Sequence, residues 1–255
     1  DPMFLRELST ICIKPLRIAF DHLGVKKPYE QAIRYSAEHG LTDLSNYMLY
    51  NFHDTPTDLF ERMRLNVTLN EELNIRIFSF PMRYQPTDLP HRTHVGNNWN
   101  KHFLRSMQII LQATHGIVSG SPQFFKLAFG NTAEEYVNLL YRPHHFIFNR
   151  FWYEHGDGRS DLDNYKKQFN ELSSDEKQEL IEYLSNHPPR EIGVKDLDEL
   201  SQSNKNIIHH YKRLDKTFEQ SIWASQKERS KEIVSEKFNV PLDELVEDAG
   251  LELAN

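Results

Sequence analysis

The chain has 255 residues, 38% of them hydrophobic, 12% aromatic and 26% charged. That length predicts one large domain, or a domain with an appendage, around a real core; a mean hydropathy of −0.65 with no long apolar run excludes a membrane-spanning helix. The net charge of −7 is uneven: residues 1–150 carry 16 Lys+Arg against 14 Asp+Glu, while 151–255 carry 14 against 23, which argues against a broad nucleic-acid surface.

Cys12 is the only cysteine. It excludes an intrachain disulfide and any cysteine-rich zinc or iron–sulfur site built by this chain alone. It reads as a buried structural thiol in a protein of a reducing, cytoplasmic compartment. The first 15 residues mix Arg6, Glu7 and Lys14 with apolar residues and offer no signal-peptide cleavage site. Asp1-Pro2-Met3 reads as residues added before a start methionine, or as the ragged edge of a fragment.

In chain order, Leu5–Ser9 reads as the end of a helix. Pro15 precedes a short apolar strand, Leu16–Phe20, which Asp21-His22-Leu23-Gly24 breaks. Tyr29 to His39 has helical periodicity, with Gly40 as its stop. Leu44 to Tyr50 is the second strand. Thr55-Pro56 opens a helix to about Glu72, with Leu59, Met63, Val67 and Leu73 on one face. Arg76–Phe80 is the third strand, closed by Pro81. Strand–helix–strand–helix–strand predicts parallel strands with right-handed crossovers. Three strands are too few for a closed barrel, so an incomplete α/β barrel is expected over 1–85.

From 86 to 255 a helical extension is expected. Residues 81–100 read as a polar loop. Lys101–His115 carries an apolar stripe of Phe103, Leu104, Met107, Ile110 and Leu111. Shorter helices are expected at 122–129 and 131–141, and residues 144–155 are dense in aromatics. Ser173 with Glu176 forms a capping box before a further helix. Residues 185–206 read as mostly loop, and 226–249 as two charged helices split at Pro241.

The C-terminal ends of parallel strands are where α/β sheets bind ligands. Three such ends carry polar punctuation: Asp21-His22, the segment NYMLYNFHDTPTDL from Asn46, and Pro81-Met82-Arg83-Tyr84. They point to one shared mouth, although helix capping and turn chemistry would use the same residue types.

The segment NYMLYNFHDTPTDLFERM resembles the fifth-strand region of radical S-adenosylmethionine (SAM) enzymes. There a Gly-x-Ile-x-Gly-x-x-Glu-like strand leads into a helix opening with Thr or Pro and acidic residues. Asn46 and Tyr50 stand at the two glycine-like positions, and Asp54-Thr55 where the family often has Glu-Thr. RIAFDHL then resembles the fourth strand and RIFSFPMRY the sixth. The three-segment order resembles an uncharacterised bacterial branch of that superfamily, over roughly residues 4–155. The departure is the cluster motif: Cys-x3-Cys-x2-Cys is absent, and in the family it precedes the matched strands. The resemblance therefore implies the C-terminal strands of a radical SAM barrel that lines SAM but supplies no ligand to the [4Fe-4S] cluster. On its own such a chain is expected to be inactive.

The resemblance implies cofactor-lining roles for six residues. Asp21 or His22 would hydrogen-bond the ribose or methionine part of SAM. Asn46 and Tyr50, which share a side of their strand, would line adenine and ribose, with Tyr47 also considered. Phe80 and Met82 would give adenine apolar contact and backbone partners. An adenine needs a flat apolar slot, and a ribose diol a carboxylate or amide. An N-terminal half or partner chain is implied as well; no catalytic residue, metal ligand or substrate is named by any pattern.

Thirteen histidines invite a metal reading, but His91 and His94 in HRTH lack the glutamate of a zinc-protease motif. The pairs His144-His145 and His209-His210 read as structural or surface groups. The aromatics Phe146 to Tyr153 read as core, and no Gly-rich phosphate loop or Gly-x-Ser-x-Gly elbow exists. Two other readings stay open. One is a non-catalytic binding or scaffold module, or the docking half of a split enzyme, marked by an unpaired edge at the first strand. The other is a barrel-type hydrolase or lyase using His and Asp at strand ends, marked by bound zinc.

Overall fold

The computed structural model describes residues 2–11, 13–89, 91–118 and 120–238. The expectations for the Cys12 thiol and for a helix break at Pro241 lie outside these residues. A short helix α1 (Pro2–Leu8) leads into β1 (Leu16–Arg17), α2 (Lys26–Glu38), β2 (Asp43–Tyr50), α3 (Pro56–Leu73) and β3 (Arg76–Arg83). The strands form one parallel sheet in the order β1-β2-β3. The fold is thus α/β in its first third. The β1 ladder continues past Arg17, because the N–H groups of Ile18 and Phe20 donate to the carbonyls of Ser45 and Tyr47 at 3.0 and 3.3 Å.

Local chemistry sets the helix ends. The Thr55 hydroxyl accepts from Asp58 N–H at 3.1 Å and the Asp58 carboxylate accepts from Thr55 N–H at 2.8 Å, with Pro56 in the first turn. At the other end Asn74 adopts a left-handed conformation, φ 50°.

Pro81 does not close the third strand. It pairs in register with Met48, and β3 runs on to Arg83. The N–H groups of Arg76 and Tyr84 bond toward β2, while those of odd-numbered residues face outward, as Ser79 shows by bonding Val118. Proline at 81 therefore removes no bond to β2.

Alternation divides the sheet into two unlike faces. Leu44, Asn46, Met48 and Tyr50 of β2, with Ile77, Ser79 and Pro81 of β3, are buried on the side where α2 and α3 pack. The other face carries Arg17, Tyr47, Leu49, Phe78, Phe80 and Met82. Tyr47 is 42% exposed and Met82 49%, Arg17 is exposed, and Leu49, Phe78 and Phe80 are half-buried.

The remainder is helical: α4 (Lys101–Ala113), α5 (Pro122–Phe129), α6 (Ala133–Tyr141), α7 (His144–Phe148), α8 (Arg150–His155), α9 (Arg159–Glu171), α10 (Ser174–Asn186), α11 (Gln202–Ile207) and α12 (Lys216–Phe238). Phe103, Leu104, Met107 and Ile110 of α4 are buried, with Leu111 half-buried. Phe60 of α3 packs on Phe125 of α5 and Tyr136 of α6, with ring centroids 5.3 and 5.7 Å apart. One hydrophobic core runs without a break from the sheet into these helices. The Ser173–Glu176 capping box forms. The stretch 185–206 is not all loop, since α11 begins at Gln202. A single helix, α12, occupies residues that were expected to begin two helices at 226, and it starts ten residues earlier, at Lys216. No described helix is long and apolar enough to cross a membrane.

Candidate functional site

The parallel register brings the C-terminal ends of β1, β2 and β3 side by side, and one buried arginine ties the first two together. Arg62, on α3, is 0% exposed. Its Nη1 donates to the Phe20 carbonyl at 3.0 Å and the Leu49 carbonyl at 2.9 Å, and its Nη2 donates to Asp54 Oδ2 at 2.8 Å. Asp54 Oδ1 accepts from Phe52 N–H at 3.1 Å and from the Trp99 indole N–H at 3.3 Å. Burial pushes the Asp54 carboxyl up, opposed by the Phe52 N–H and by Arg62. Burial pulls Arg62 down, opposed by Asp54, Asp21 and Asp58. Each partner sits among complementary donors and acceptors, which offset the desolvation of the pair.

The rim is fixed from β2. Asn51 has φ 69° and is fully buried. Its side-chain amide donates to the carbonyls of Tyr84 and His94, each at 3.2 Å, and its Oδ1 accepts from Gly96 N–H at 2.8 Å. A Cβ on Gly96 would lie 2.7 Å from the Phe52 carbonyl oxygen, so the loop approaches β2 more closely than a side chain allows. Arg83 adds a bond to the His94 carbonyl at 2.8 Å. The rings of Phe52 and Tyr84 meet at 4.5 Å, and those of Tyr84 and His94 at 5.3 Å.

The six residues named from the sequence divide between two environments. Asp21 and His22 are exposed at the mouth, and Asp21 Oδ1 accepts from Leu49 N–H at 3.2 Å. Phe80 and Met82 lie on the open face. Asn46 and Tyr50 lie on the opposite, helix-covered face. The Asn46 amide donates to Tyr29 Oη at 2.7 Å, Tyr29 donates to Asn66 at 2.8 Å, and Asn66 donates to Ser79 at 2.8 Å. Tyr50 packs on Trp99 at 5.2 Å, and burial pushes its hydroxyl up to about 12. Asn46 and Tyr50 do share a side of β2, but α2 and α3 stand between that side and the mouth.

The open face instead gathers Tyr47 with Phe80, ring centroids 5.7 Å apart, and Arg17 over the Tyr47 ring at 5.9 Å. Alternation along β2 separates Tyr47 from Asn46, but both sets of side chains mix polar and aromatic residues, so pattern alone did not say which set was covered. Two further groups escaped the sequence reading. The Gln85 side-chain amide and His94 Nε2 are buried beside the end of β3 with no hydrogen-bond partner among the described residues. Nothing in the spacing of a polar, proline-rich loop marks them.

His91 is exposed, His144 stacks on His102 at 4.3 Å, and His145 lies within electrostatic range of His210, but no group of three or more His, Cys, Asp or Glu among the described residues could hold a metal ion. The aromatics of 144–155 are split: Phe146 and Tyr153 are core, while Phe148 and Phe151 face outward. No protein-family model, no curated protein and no solved structure matches the chain.

Proposed function

We propose that this chain is the C-terminal part of a radical SAM enzyme, forming an arc of its barrel and lining SAM and substrate. The supporting observation is the unlike pair of sheet faces. Parallel sheets are normally covered on both sides; here helices cover one side, and Arg17, Tyr47, Phe80 and Met82 stand open on the other, as the inward face of an unclosed barrel would.

The residues present fit part of a nucleoside-bearing cofactor. Tyr47, Phe80 and Met82 offer an apolar wall for adenine. Asp21 holds the Leu49 N–H with one carboxylate oxygen and has a second for a ribose diol. Asn46 and Tyr50 act behind this wall, by setting the strand. The residues do not fit an iron–sulfur cluster, since the sequence has one cysteine. In a complete enzyme SAM supplies hydrogen abstraction from the substrate; this chain binds, orients and excludes water. The Arg62–Asp54 pair holds the ends of β1 and β2 at fixed height.

The test is the DNA directly upstream of this reading frame, followed by SAM binding to the longer chain. An in-frame Cys-x3-Cys-x2-Cys, with SAM binding weakened by Tyr47→Ala and Phe80→Ala, is the expected result. A start codon at Met3 with no such segment upstream or in a neighbouring gene would sink the enzyme reading. Cluster absorbance and SAM cleavage by the present chain alone would equally refute its role as an incomplete part. The second reading, a scaffold or docking half, is favoured by one feature: among the described residues β1 pairs only with β2, leaving an open parallel edge.

A further inference from the structure

A cleft of about 360 Å³ lies away from the sheet, walled by residues of α6, α8 and α9. We propose that it binds a phosphate-bearing small molecule, with the phosphate between Lys166 and Arg142 and the body against Leu139 and Phe169. This inference is independent of the reading of the sheet.

Three cations line the cleft, Arg142, Arg150 and Lys166. One carboxylate serves two of them: Glu154 Oε1 accepts from Arg142 Nη1 at 2.9 Å and from Arg150 Nε at 2.8 Å. Arg150 also donates to the Ala128 carbonyl at 3.1 Å, which fixes it as a wall. The acid in the lining itself, Glu135, is held at its Oε2 by the N–H and side-chain amide of Asn131, at 2.7 and 3.0 Å. Lys166 makes no ion pair with a described residue. It is half-buried, and burial together with Arg142 and Arg159 pushes its ammonium down from the usual range, only partly opposed by Glu154 and Asp163. A second anion would relieve that repulsion.

The donor set favours a phosphate over a carboxylate. Lys166, the unshared edge of Arg142 and the side-chain amides of Asn138 and Asn170 surround one space. A carboxylate has two oxygens to offer them; a phosphate monoester has three and carries more charge. The volume is that of a small-ligand site, and Leu139 and Phe169 give it an apolar side.

The experiment is calorimetric titration of the full chain, at constant ionic strength, with phenyl phosphate, inorganic phosphate and benzoate. Phenyl phosphate should bind tightest, inorganic phosphate more weakly and benzoate least. Lys166→Gln should weaken phenyl phosphate roughly tenfold, whereas Lys167→Gln, at an exposed neighbouring position, should leave it unchanged. Arg142→Lys keeps a cation for Glu154 but loses the guanidinium fork, and should also weaken binding, which covers the case of a Lys166 variant that fails to fold. No binding of either phosphate, benzoate binding as tightly as phenyl phosphate, or unchanged affinity in the Lys166 and Arg142 variants would overturn the proposal.

Discussion

Arg62 is a positive charge with no access to water, held by three backbone carbonyls and one carboxylate. Removing its anion leaves that charge uncompensated, so Asp54→Ala should destabilise the fold by about 3–5 kcal/mol in urea unfolding. The double variant Asp54→Leu/Arg62→Met removes both charges and should recover much of that loss, because a buried pair seldom outweighs its own desolvation. A double variant no more stable than Asp54→Ala would show that the bonds to Phe20 and Leu49 dominate instead. The two β2 neighbours Asn46 and Tyr47 give a sharper contrast. Asn46→Ala takes away the donor to the buried Tyr29 hydroxyl, leaving it only its bond to Asn66, and should cost about 1–3 kcal/mol. Tyr47→Ala, on the open face, should change stability by about 0.5 kcal/mol or less. Equal costs would contradict the assignment of the two faces.

Helices and strands were legible where the signal is local. Thr55-Pro56 and Ser173 with Glu176 announce their helices because a cap is made by residues three apart, and Thr55→Ala should cost about 1 kcal/mol by thermal unfolding. The alternation of β2 was legible as well. The side that α2 and α3 would cover was not, since it depends on Tyr29, Asn66 and Ser79 meeting Asn46 across the chain. Pro81 read as a strand end, because whether a missing N–H matters depends on which neighbour it would have faced. Helix α9 passed unread: it begins at Arg159 behind Gly158, which offers no side-chain cap, and only Leu162, Tyr165 and Phe169 mark its buried face. At the mouth, Asp21 and the Asp54 turn could be found from strand ends, but Gln85 and His94 lie in a loop whose path is set by contacts of Asn51, Arg83 and Gly96 across the chain. The open sheet face has its own consequence for behaviour. The chain alone should bind a dye such as ANS, and Tyr47→Lys with Phe80→Lys should remove most of that binding. Unaltered dye binding would place the exposed apolar surface elsewhere.

Across the whole molecule, the helical half is built around neutral histidines. Burial lowers His102 to about 3, and His144, His145 and His210 to about 4. His102 is hemmed in by the stacked His144 ring, and its Nε2 lies 3.3 and 3.2 Å from the carbonyls of Tyr141 and Arg142. Each group takes up a proton near pH 6.5 when unfolded and only near pH 3–4 when folded. The unfolded state therefore binds more protons between those values, and stability is full above pH 6.5 and falls as pH drops. Each histidine contributes a slope approaching 1.4 kcal/mol per pH unit within that window. Urea midpoints at pH 7.5, 6 and 5 should fall in order; a flat profile would refute neutral burial of this group. Because one core joins these helices to the sheet, acid should unfold both in a single transition.

The Asn51 amide pins Tyr84 on one side and His94 and Gly96 on the other. Between those anchors Thr87, Asp88, Leu89, His91, Arg92 and Thr93 are exposed. The anchors carry the loop's attachment, so the intervening residues are open to insertion and recombination without cost to the scaffold. The loop can thus diverge faster than the strands beneath it: a replaceable doorway, whose hinges belong to Asn51 and Gly96.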